Sequence, residues 1–273
     1  MVESVLKAFR IMELFTYEQP RLTLAEIARR MEMPKSTVHN LLGTLKSIDC
    51  IEKLDDDTYA LGIGFLPLTQ YLRVNVEIRD RAAPLLRDLA DACGESVYLA
   101  VLERTACRFI YVIETSRRLQ ARSALGGVAP LHSSGIGKAI LAFLPAGAAT
   151  EIVAQTGLPG VTPQTIVSRA RLQKEMETIR ERGYSTDGAE NEEGTYCVGA
   201  PILDARGRPI AGCSLSGTDP HIVDKKLDNI AACVTYTAQE ISRRMGYVPR
   251  KVSSFDRGPV NPLTEYRKLK KSF

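Results

Sequence analysis

Along the first sixty positions the apolar residues recur at the helical interval rather than in alternation. Val5, Phe9, Met12 and Phe15 predict an amphipathic helix over residues 3–16. The polar run Tyr17-Glu18-Gln19-Pro20-Arg21 ends it. Thr23-Leu24-Ala25-Glu26 has capping-box spacing, so Thr23 is expected to cap a second helix striped by Leu24, Ile27, Ala28 and Met31. Pro34 suits the first turn of a third helix, where the donor it lacks would have no partner. Val38, Leu41, Leu42, Leu45 and Ile48 place one face of that helix in a core. The stretch from Ile51 to Leu61 reads as two short strands around the acidic turn Asp55-Asp56-Asp57. Helix, helix, tight turn, helix and hairpin is the order of a winged helix-turn-helix, expected over residues 1–65.

Residues 66–80 read as a linking helix that is apolar on more than one face. Such a helix needs a partner surface, and a second copy of the chain is one candidate. From Pro84 a helix carrying Leu85, Leu86, Leu89, Ala90 and Cys93 precedes two strand-like runs, ESVYLAVLE and CRFIYVIE. Gly135 opens a helix, GIGKAILAFL, and residues 168–182 form a charged, solvent-facing helix stopped by Gly183. TYCVGAPILD and RPIAGCSLSG flank Ala205-Arg206-Gly207 as a hairpin, and residues 219–245 read as a long closing helix. Strands first and last with helices between predict an α+β domain built on one antiparallel sheet over residues 81–246, followed by a basic tail, 247–273.

Composition adds limits. A chain of 273 residues that is 44% hydrophobic and 25% charged can fill the cores of two domains. No run approaches the ~18 uninterrupted apolar residues of a membrane helix. The N-terminal stretch lacks a basic start, an unbroken apolar run and a cleavage site, so a cytoplasmic protein without membrane association is expected. The six cysteines are scattered without a C-x-x-C pair, which suits reduced thiols. With three dispersed histidines they give no reason to expect a metal, and no cofactor motif is complete. The net charge of +4 belongs to the tail: residues 1–80 sum to −2, residues 81–242 to −1, and the last 31 residues to +7. Net charge therefore gives no support for nucleic-acid binding, and the case must come from local pattern.

That pattern lies on the third helix. With its stripe buried, Lys35, Ser36, Thr37, His39, Asn40, Gly43, Thr44 and Ser47 remain outside. Short hydroxyl side chains and free amides at a helix N-terminus suit phosphate oxygens. Asn40 has the geometry for a bidentate contact to adenine, His39 reaches a base edge, and Thr37 and Thr44 can meet thymine methyls. Arg21, Lys46 and Lys53 are left to contact the backbone. The candidate set for double-stranded operator DNA is Arg21, Thr23, Lys35, Ser36, Thr37, His39, Asn40, Thr44, Lys46 and Lys53. So few phosphate contacts per chain imply a dimer on two half-sites. A merely solvated polar face, or one that binds a protein partner, is the alternative reading.

The blocks SVLKAFRIMELF, LTLAEIARRMEMPKSTVHNLLGTLKSIDCIEK, RAAPLLRDLADACGESVYLAVLE, PLHSSGIGKAILAFLP, RERGYSTDGAENEEG and CVGAPILDARGRPIAGCSLSG, in that order, resemble the IclR family of bacterial transcriptional regulators. The likeness runs from about residue 3 to residue 246. It implies a winged helix-turn-helix, a linking helix used in dimerisation, and a GAF-like effector domain, an antiparallel sheet with flanking helices. It also implies a dimer or tetramer that controls catabolic genes in response to a small organic-acid or aromatic metabolite. The chain departs from the family at Asn40, where a basic residue is common, and at Asp49, where a glycine is common. The first bears on DNA sequence preference and the second on the turn into the wing.

Gly135 and Ile136 start a helix after Ser133-Ser134, so their N–H groups can hold a carboxylate. By similarity to the family's effector pocket the matching positions are Gly135, Ile136, Asp187, Thr195, Cys197, Ser214 and Ser216. Thr195 and Cys197 lie two apart on one expected strand, as do Ser214 and Ser216 on another, so each pair faces one side of the sheet. Asp187 is expected to accept a hydrogen bond from an effector hydroxyl or to sit at the far end from its carboxylate. An enzyme reading survives only as a cysteine hydrolase using Cys197 with His132 or His221. HSSGIGKA fails the phosphate-loop pattern, and Gly135-Ile136-Gly137 lacks the third glycine of a dinucleotide fingerprint. A buried, inert thiol accounts for Cys197 equally well.

Overall fold

Two units, Met1–Arg73 and Val74–Phe273, divide the computed structural model, which describes residues 2–16, 19–67, 76–114, 125–248 and 261–270. In the first unit α1 (Glu3–Glu13), α2 (Leu24–Met31) and α3 (Lys35–Ser47) pack around a small sheet of β1 (Leu22–Thr23), β3 (Thr58–Leu61) and β2 (Ile51–Lys53), in that order. Thr23 caps α2 as its spacing predicts. The Glu26 amide donates to Thr23 Oγ1 at 3.3 Å, and the Glu26 carboxylate accepts from the Thr23 amide at 2.8 Å. Pro34 takes the N-cap of α3 itself, its carbonyl accepting from the amides of Thr37 and Val38.

The core of this unit is Ile11, Met12, Phe15, Leu22, Ile27, Val38, Leu42, Leu45, Ile51 and Tyr59. Two expectations are corrected here. Ile48 is 57% exposed, because ten residues past Val38 at ~100° each carry it well off the stripe, and it sits at the C-cap where the helix ends. The inward face of α1 runs through Ala8, Ile11, Met12 and Phe15, leaving Val5 exposed and Phe9 58% exposed on the far side. Asp49 then turns the chain into the wing with φ +57°, the left-handed conformation that glycine adopts without strain.

In the second unit β4 (Ser96–Glu103), β5 (Ala106–Ile113), β6 (Val128–Pro130), β7 (Ser185–Gly188), β8 (Tyr196–Leu203) and β9 (Pro209–Gly217) form one antiparallel sheet, ordered β6-β5-β4-β9-β8-β7. Alternate residues of β4 feed two different cores. Val97, Leu99 and Val101 join the cluster with Leu86 and Leu89 of α4 (Val76–Cys93) and Ile230, Val234 and Ile241. Tyr98 and Ala100 join the opposite cluster, with Ile136, Ile140, Leu172 and Ile179. Burial on both faces explains why these strands read as nearly continuous apolar runs. The helices on the second face are α5 (Gly135–Phe143), α6 (Ala146–Thr156) and α7 (Arg169–Arg182); α8 (Leu227–Arg244) lies with α4 on the first.

Several boundaries differ from the sequence reading. Residues 76–93 are one helix that continues through Pro84, rather than a linking helix ending at 80 and a new one from Pro84. Positions 68–75 of the expected linking helix lie outside the described residues. The closing helix begins at Leu227, after a separate 3-10 turn, Pro220–Val223, whose His221 amide is capped by Asp219. The charged helix α7 is not simply solvent-facing, since it buries Leu172, Met176 and Ile179. The tail holds a further helix, α9 (Pro262–Lys270), whose Leu263 is buried in the α4–α8 core. Among the described residues no helix is long and apolar enough to cross a membrane.

Candidate functional site

On α3 burial of Val38, Leu42 and Leu45 leaves Lys35, Ser36, Thr37, His39, Asn40, Thr44 and Lys46 exposed. The Thr44 hydroxyl donates to the Asn40 carbonyl at 3.1 Å, so one proton on this face is already used. Ser36, Thr37, His39 and Asn40 make no side-chain hydrogen bond among the described residues, which leaves their donors for a ligand. Thr23 is different. Its amide and hydroxyl are both committed to the capping box, so it positions α2 and is withdrawn from the contact set.

The cations divide in the same way. Lys53 pairs with Asp57 at 2.6 Å, which raises its pKa chiefly through that hydrogen bond, and Arg21 lies 3.6 Å from Asp56. The acidic turn thus neutralises the wing's own cations. These exposed pairs are weak and can be exchanged for phosphate. Lys35 and Lys46 carry no ion pair among the described residues. Arg29 on α2 is also exposed and unpaired among them. It escaped the sequence reading because it lies outside the α3 stripe.

In the second unit Gly135, Ile136, Asp187, Thr195, Cys197, Ser214 and Ser216 surround one cavity of about 40 Å³. Register explains the convergence. Asp187 opposes Cys197 across β7–β8, and Cys197 opposes Ser216 across β8–β9, so the three form a row on one face. Ser214 stands one row away, opposite Tyr98 of β4. The N-terminus of α5 closes the other wall and approaches the sheet over Gly199, where a Cβ would stand 2.7 Å from the Gly135 carbonyl and 2.9 Å from the Ile136 amide nitrogen. Helix geometry leaves the first amides of α5 without intrahelical acceptors. Ser134 caps the helix through Gly137 N–H at 3.1 Å.

Thr195 is not on the strand, as its spacing from Cys197 suggested. It ends the loop before β8, its hydroxyl donating to Glu192 at 3.1 Å. The cavity is also lined by Tyr98, Phe109, Ala129, Ser134, Asn191 and Glu192, which the sequence reading missed. Tyr98 and Phe109 pack with tilted rings, 5.4 Å between centroids and 57° between planes, and form its apolar wall. Tyr98 carried a usable signal, since it alternates with Val97 and Leu99 and must therefore face the other side of the sheet.

Asp187 is 1% exposed. Burial raises its pKa to about 7, against the hydrogen bonds its Oδ1 accepts from the amides of Glu190, at 2.7 Å, and Asn191. Behind it Lys138, 1% exposed, pairs with Glu190 and lies 3.9 Å from Glu175, which in turn pairs with Arg182 at 3.1 Å. Burial raises the Glu190 carboxyl as well. The Cys197 thiol is pushed well up, first by burial and then by the neighbouring Asp187, and its sulfur accepts from Ser216 Oγ at 3.0 Å. A thiol so placed is a poor nucleophile. The two histidines that could serve it as a base are engaged elsewhere, His132 with the Pro159 carbonyl and His221 with Asp224.

The sequence matches two family models, the IclR helix-turn-helix domain over residues 4–55 and the bacterial transcriptional regulator IclR C-terminal domain over residues 69–243. It is 36% identical over 233 residues to the HTH-type transcriptional regulator BhcR of Paracoccus denitrificans, covering 84% of this chain and 82% of that one. The crystal structure of the Thermotoga maritima IclR superposes with a TM-score of 0.80 at 31% identity, over 90% of this chain and 100% of that one. An IclR homolog of Microbacterium hydrocarbonoxydans, complexed with 4-hydroxybenzoate, shares the fold with a TM-score of 0.79 at 21% identity, covering 89% and 98% of the two chains.

Proposed function

The chain belongs to the IclR family of bacterial transcriptional regulators, DNA-binding proteins rather than enzymes, and we propose that it answers to a small carboxylate-bearing metabolite bound between α5 and the Asp187–Cys197–Ser216 row. The observation that carries this reading is the meeting of a helix N-terminus with that polar row in one buried cavity, walled on its apolar side by Tyr98, Phe109 and Ala129. Free amides and the helix dipole favour an anion at Gly135 and Ile136. Ser214, Ser216 and Cys197 supply hydrogen bonds at its other end. The 4-hydroxybenzoate held by the Microbacterium homolog is a ligand of this chemical type.

Asp187 can tolerate a carboxylate beside it only in the protonated state, in which it becomes a donor. At about 40 Å³ the cavity has room for a few water molecules. A metabolite of several heavy atoms enters by moving the segment 191–195, which carries Asn191, Glu192 and Thr195 and pairs with no strand.

On the DNA side the proposed contacts are Ser36, Thr37, His39 and Asn40 to bases and adjoining phosphates, with Lys35, Lys46, Arg21 and Lys53 to the backbone. Their small number calls for two chains on two half-sites. The exposed apolar face of α1, with Val5 and Phe9, supports self-association as a dimer or tetramer. Control of catabolic genes is the physiological role consistent with an organic-acid effector. A ligand alters DNA binding only by its difference in affinity between two conformations.

A thermal-shift screen of organic acids, 4-hydroxybenzoate included, tests the effector reading, because a ligand that binds the native state raises its melting temperature. Ser214→Ala and Ser216→Ala are expected to lose that rise. Full retention by both would place the ligand elsewhere.

A further inference from the structure

Between α6 and α7 runs a groove of about 360 Å³, a volume within the range of small-molecule sites. It shares no lining residue with the cavity at the start of α5. One face of α6 supplies Ala146, Ala149, Thr150 and Val153, spaced at i, i+3, i+4 and i+7. The corresponding face of α7 supplies Leu172 and Met176. The two alanines are too short to fill the space in front of that leucine and methionine, so the helices leave a trough. Its floor is apolar, since Ala149, Val153, Leu172 and Met176 are each at most 9% exposed.

The charge on the rim has one sign. Arg169 stands at the start of α7 and Arg180 in its last turn, ~16 Å further along the helix. No residue lining the groove is acidic. Arg169 is exposed and makes no ion pair or hydrogen bond among the described residues. Arg180 donates through Nη1 to the Ala142 carbonyl at 2.9 Å. That bond fixes its guanidinium at the corner where α5 passes into α6, with its remaining N–H groups free to donate. The neutral groups of the rim are engaged inside their own helices. The Thr150 hydroxyl donates to the Ala146 carbonyl at 2.8 Å, and the Gln173 amide donates to Glu177 at 2.9 Å. What the groove offers a ligand is therefore a buried apolar strip with a guanidinium at each end.

We propose that this groove is a second small-molecule site, built for an unbranched aliphatic dicarboxylate of medium chain length. One carboxylate pairs with Arg180 and the other with Arg169, and the methylenes between them lie on Leu172, Met176 and Val153. A guanidinium fork matches a carboxylate in two parallel hydrogen bonds, which a neutral or cationic head group cannot reproduce. The methylenes gain by leaving water for the apolar floor. Two anionic ends are required because a free chain end would lie against the second cation. The groove also bears on the charge cluster behind Asp187, since α7 carries Glu175 and Arg182 as well as the groove's own residues. A ligand here is thus a separate input to the effector unit, and the site stands whether or not the cavity at α5 holds the effector.

Isothermal titration calorimetry of the full chain tests the site, with suberate and decanedioate set against succinate, octanoate and octanol. Suberate is expected to bind at least about tenfold more tightly than octanoate or octanol of the same carbon number, and succinate is too short to engage both arginines. With methionine methyl groups carbon-13 labelled, the Met176 resonance, assigned through Met176→Leu, moves in step with the heat. Arg169→Gln removes no bond within the protein and is expected to bring suberate down to the affinity of octanoate. Arg180→Gln does the same, with its melting temperature recorded. Thr150→Phe fills the groove from an exposed position and abolishes binding. Ser214→Ala and Ser216→Ala keep it, which separates this site from the cavity at α5. Four results overturn the proposal: no heat and no Met176 shift with any diacid, octanoate binding as tightly as suberate, suberate binding that survives both arginine variants or is lost in the serine variants, or a wild-type oligomer that Thr150→Phe dissociates in sedimentation. The last would assign the groove to a second copy of the chain.

Discussion

Cys197 and Ser216 stand opposite each other on β8 and β9, and the serine hydroxyl donates to the cysteine sulfur at 3.0 Å. With Asp187 in the same row, the thiol is placed as a hydrogen-bonding group in a buried cavity and not as a nucleophile. Iodoacetamide at neutral pH is therefore expected to modify Cys197 at least about a hundredfold more slowly than free cysteine, since attack requires the thiolate. Mass-spectrometric alkylation rates check this. A rate matching free cysteine would mean that the thiol is neither buried nor raised.

Asp187 makes stability depend on pH in an unusual direction for a carboxylate. Its folded-state pKa, about 7, lies above the ordinary 3.8. Between those values the folded state holds a proton that the unfolded chain has released. The stabilisation is complete below pH ~4, declines as pH rises, and is gone once pH passes the folded value near 7. Replacing Asp187 by Asn is expected to remove this component and raise stability at pH 8 by roughly 1–4 kcal/mol. Urea denaturation at pH 5, 6.5 and 8 measures it. If the effector is a carboxylate as proposed, wild-type affinity for it is expected to fall above pH 7, and in Asp187→Asn that slope is expected to disappear.

Lys138 sits at the centre of a buried charge cluster. Replacing it by Met leaves Glu190 buried without its cation and Glu175 with Arg182 alone, at an expected cost of about 3–5 kcal/mol. The double variant Lys138→Met with Glu190→Gln should recover most of that loss, because it removes the stranded charge. A single variant as stable as wild type in equilibrium denaturation would show that the pair is not buried as described.

Asp49 illustrates what a sequence does and does not reveal. The family resemblance implies a glycine at this position, and Asp49 stands there with a φ of +57°, a conformation that glycine adopts without strain. Asp49→Gly is expected to stabilise the first unit by up to about 1 kcal/mol, the relief of left-handed strain being partly offset by the greater freedom of the unfolded chain. Thermal denaturation of the paired variants checks it. The winged arrangement was legible because capping box, proline and leucine spacing all act within a few residues. The cavity was legible only at the positions given by the family likeness, together with the alternation of Ser214 and Ser216. Tyr98 and Phe109 reach it from distant segments, and only pairing across β4, β5 and β9 brings them there. The outward turn of Phe9 escaped because α1 carries apolar residues on two faces, and only packing decides between them. Leu263 escaped because the charge of the tail masks one buried position on a short helix.

The exposed face of α3 is the proposed reader of DNA sequence. Duplexes enriched from a random DNA pool by the wild-type chain provide the substrate, and fluorescence anisotropy at fixed salt compares the enriched duplex with a scrambled one. Asn40→Ala is expected to lose roughly 1–3 kcal/mol on the enriched duplex and little on the scrambled one, because a base contact carries sequence discrimination and a phosphate contact does not. Equal loss on both duplexes, or failure of the wild-type chain to enrich any sequence, would contradict base reading by α3.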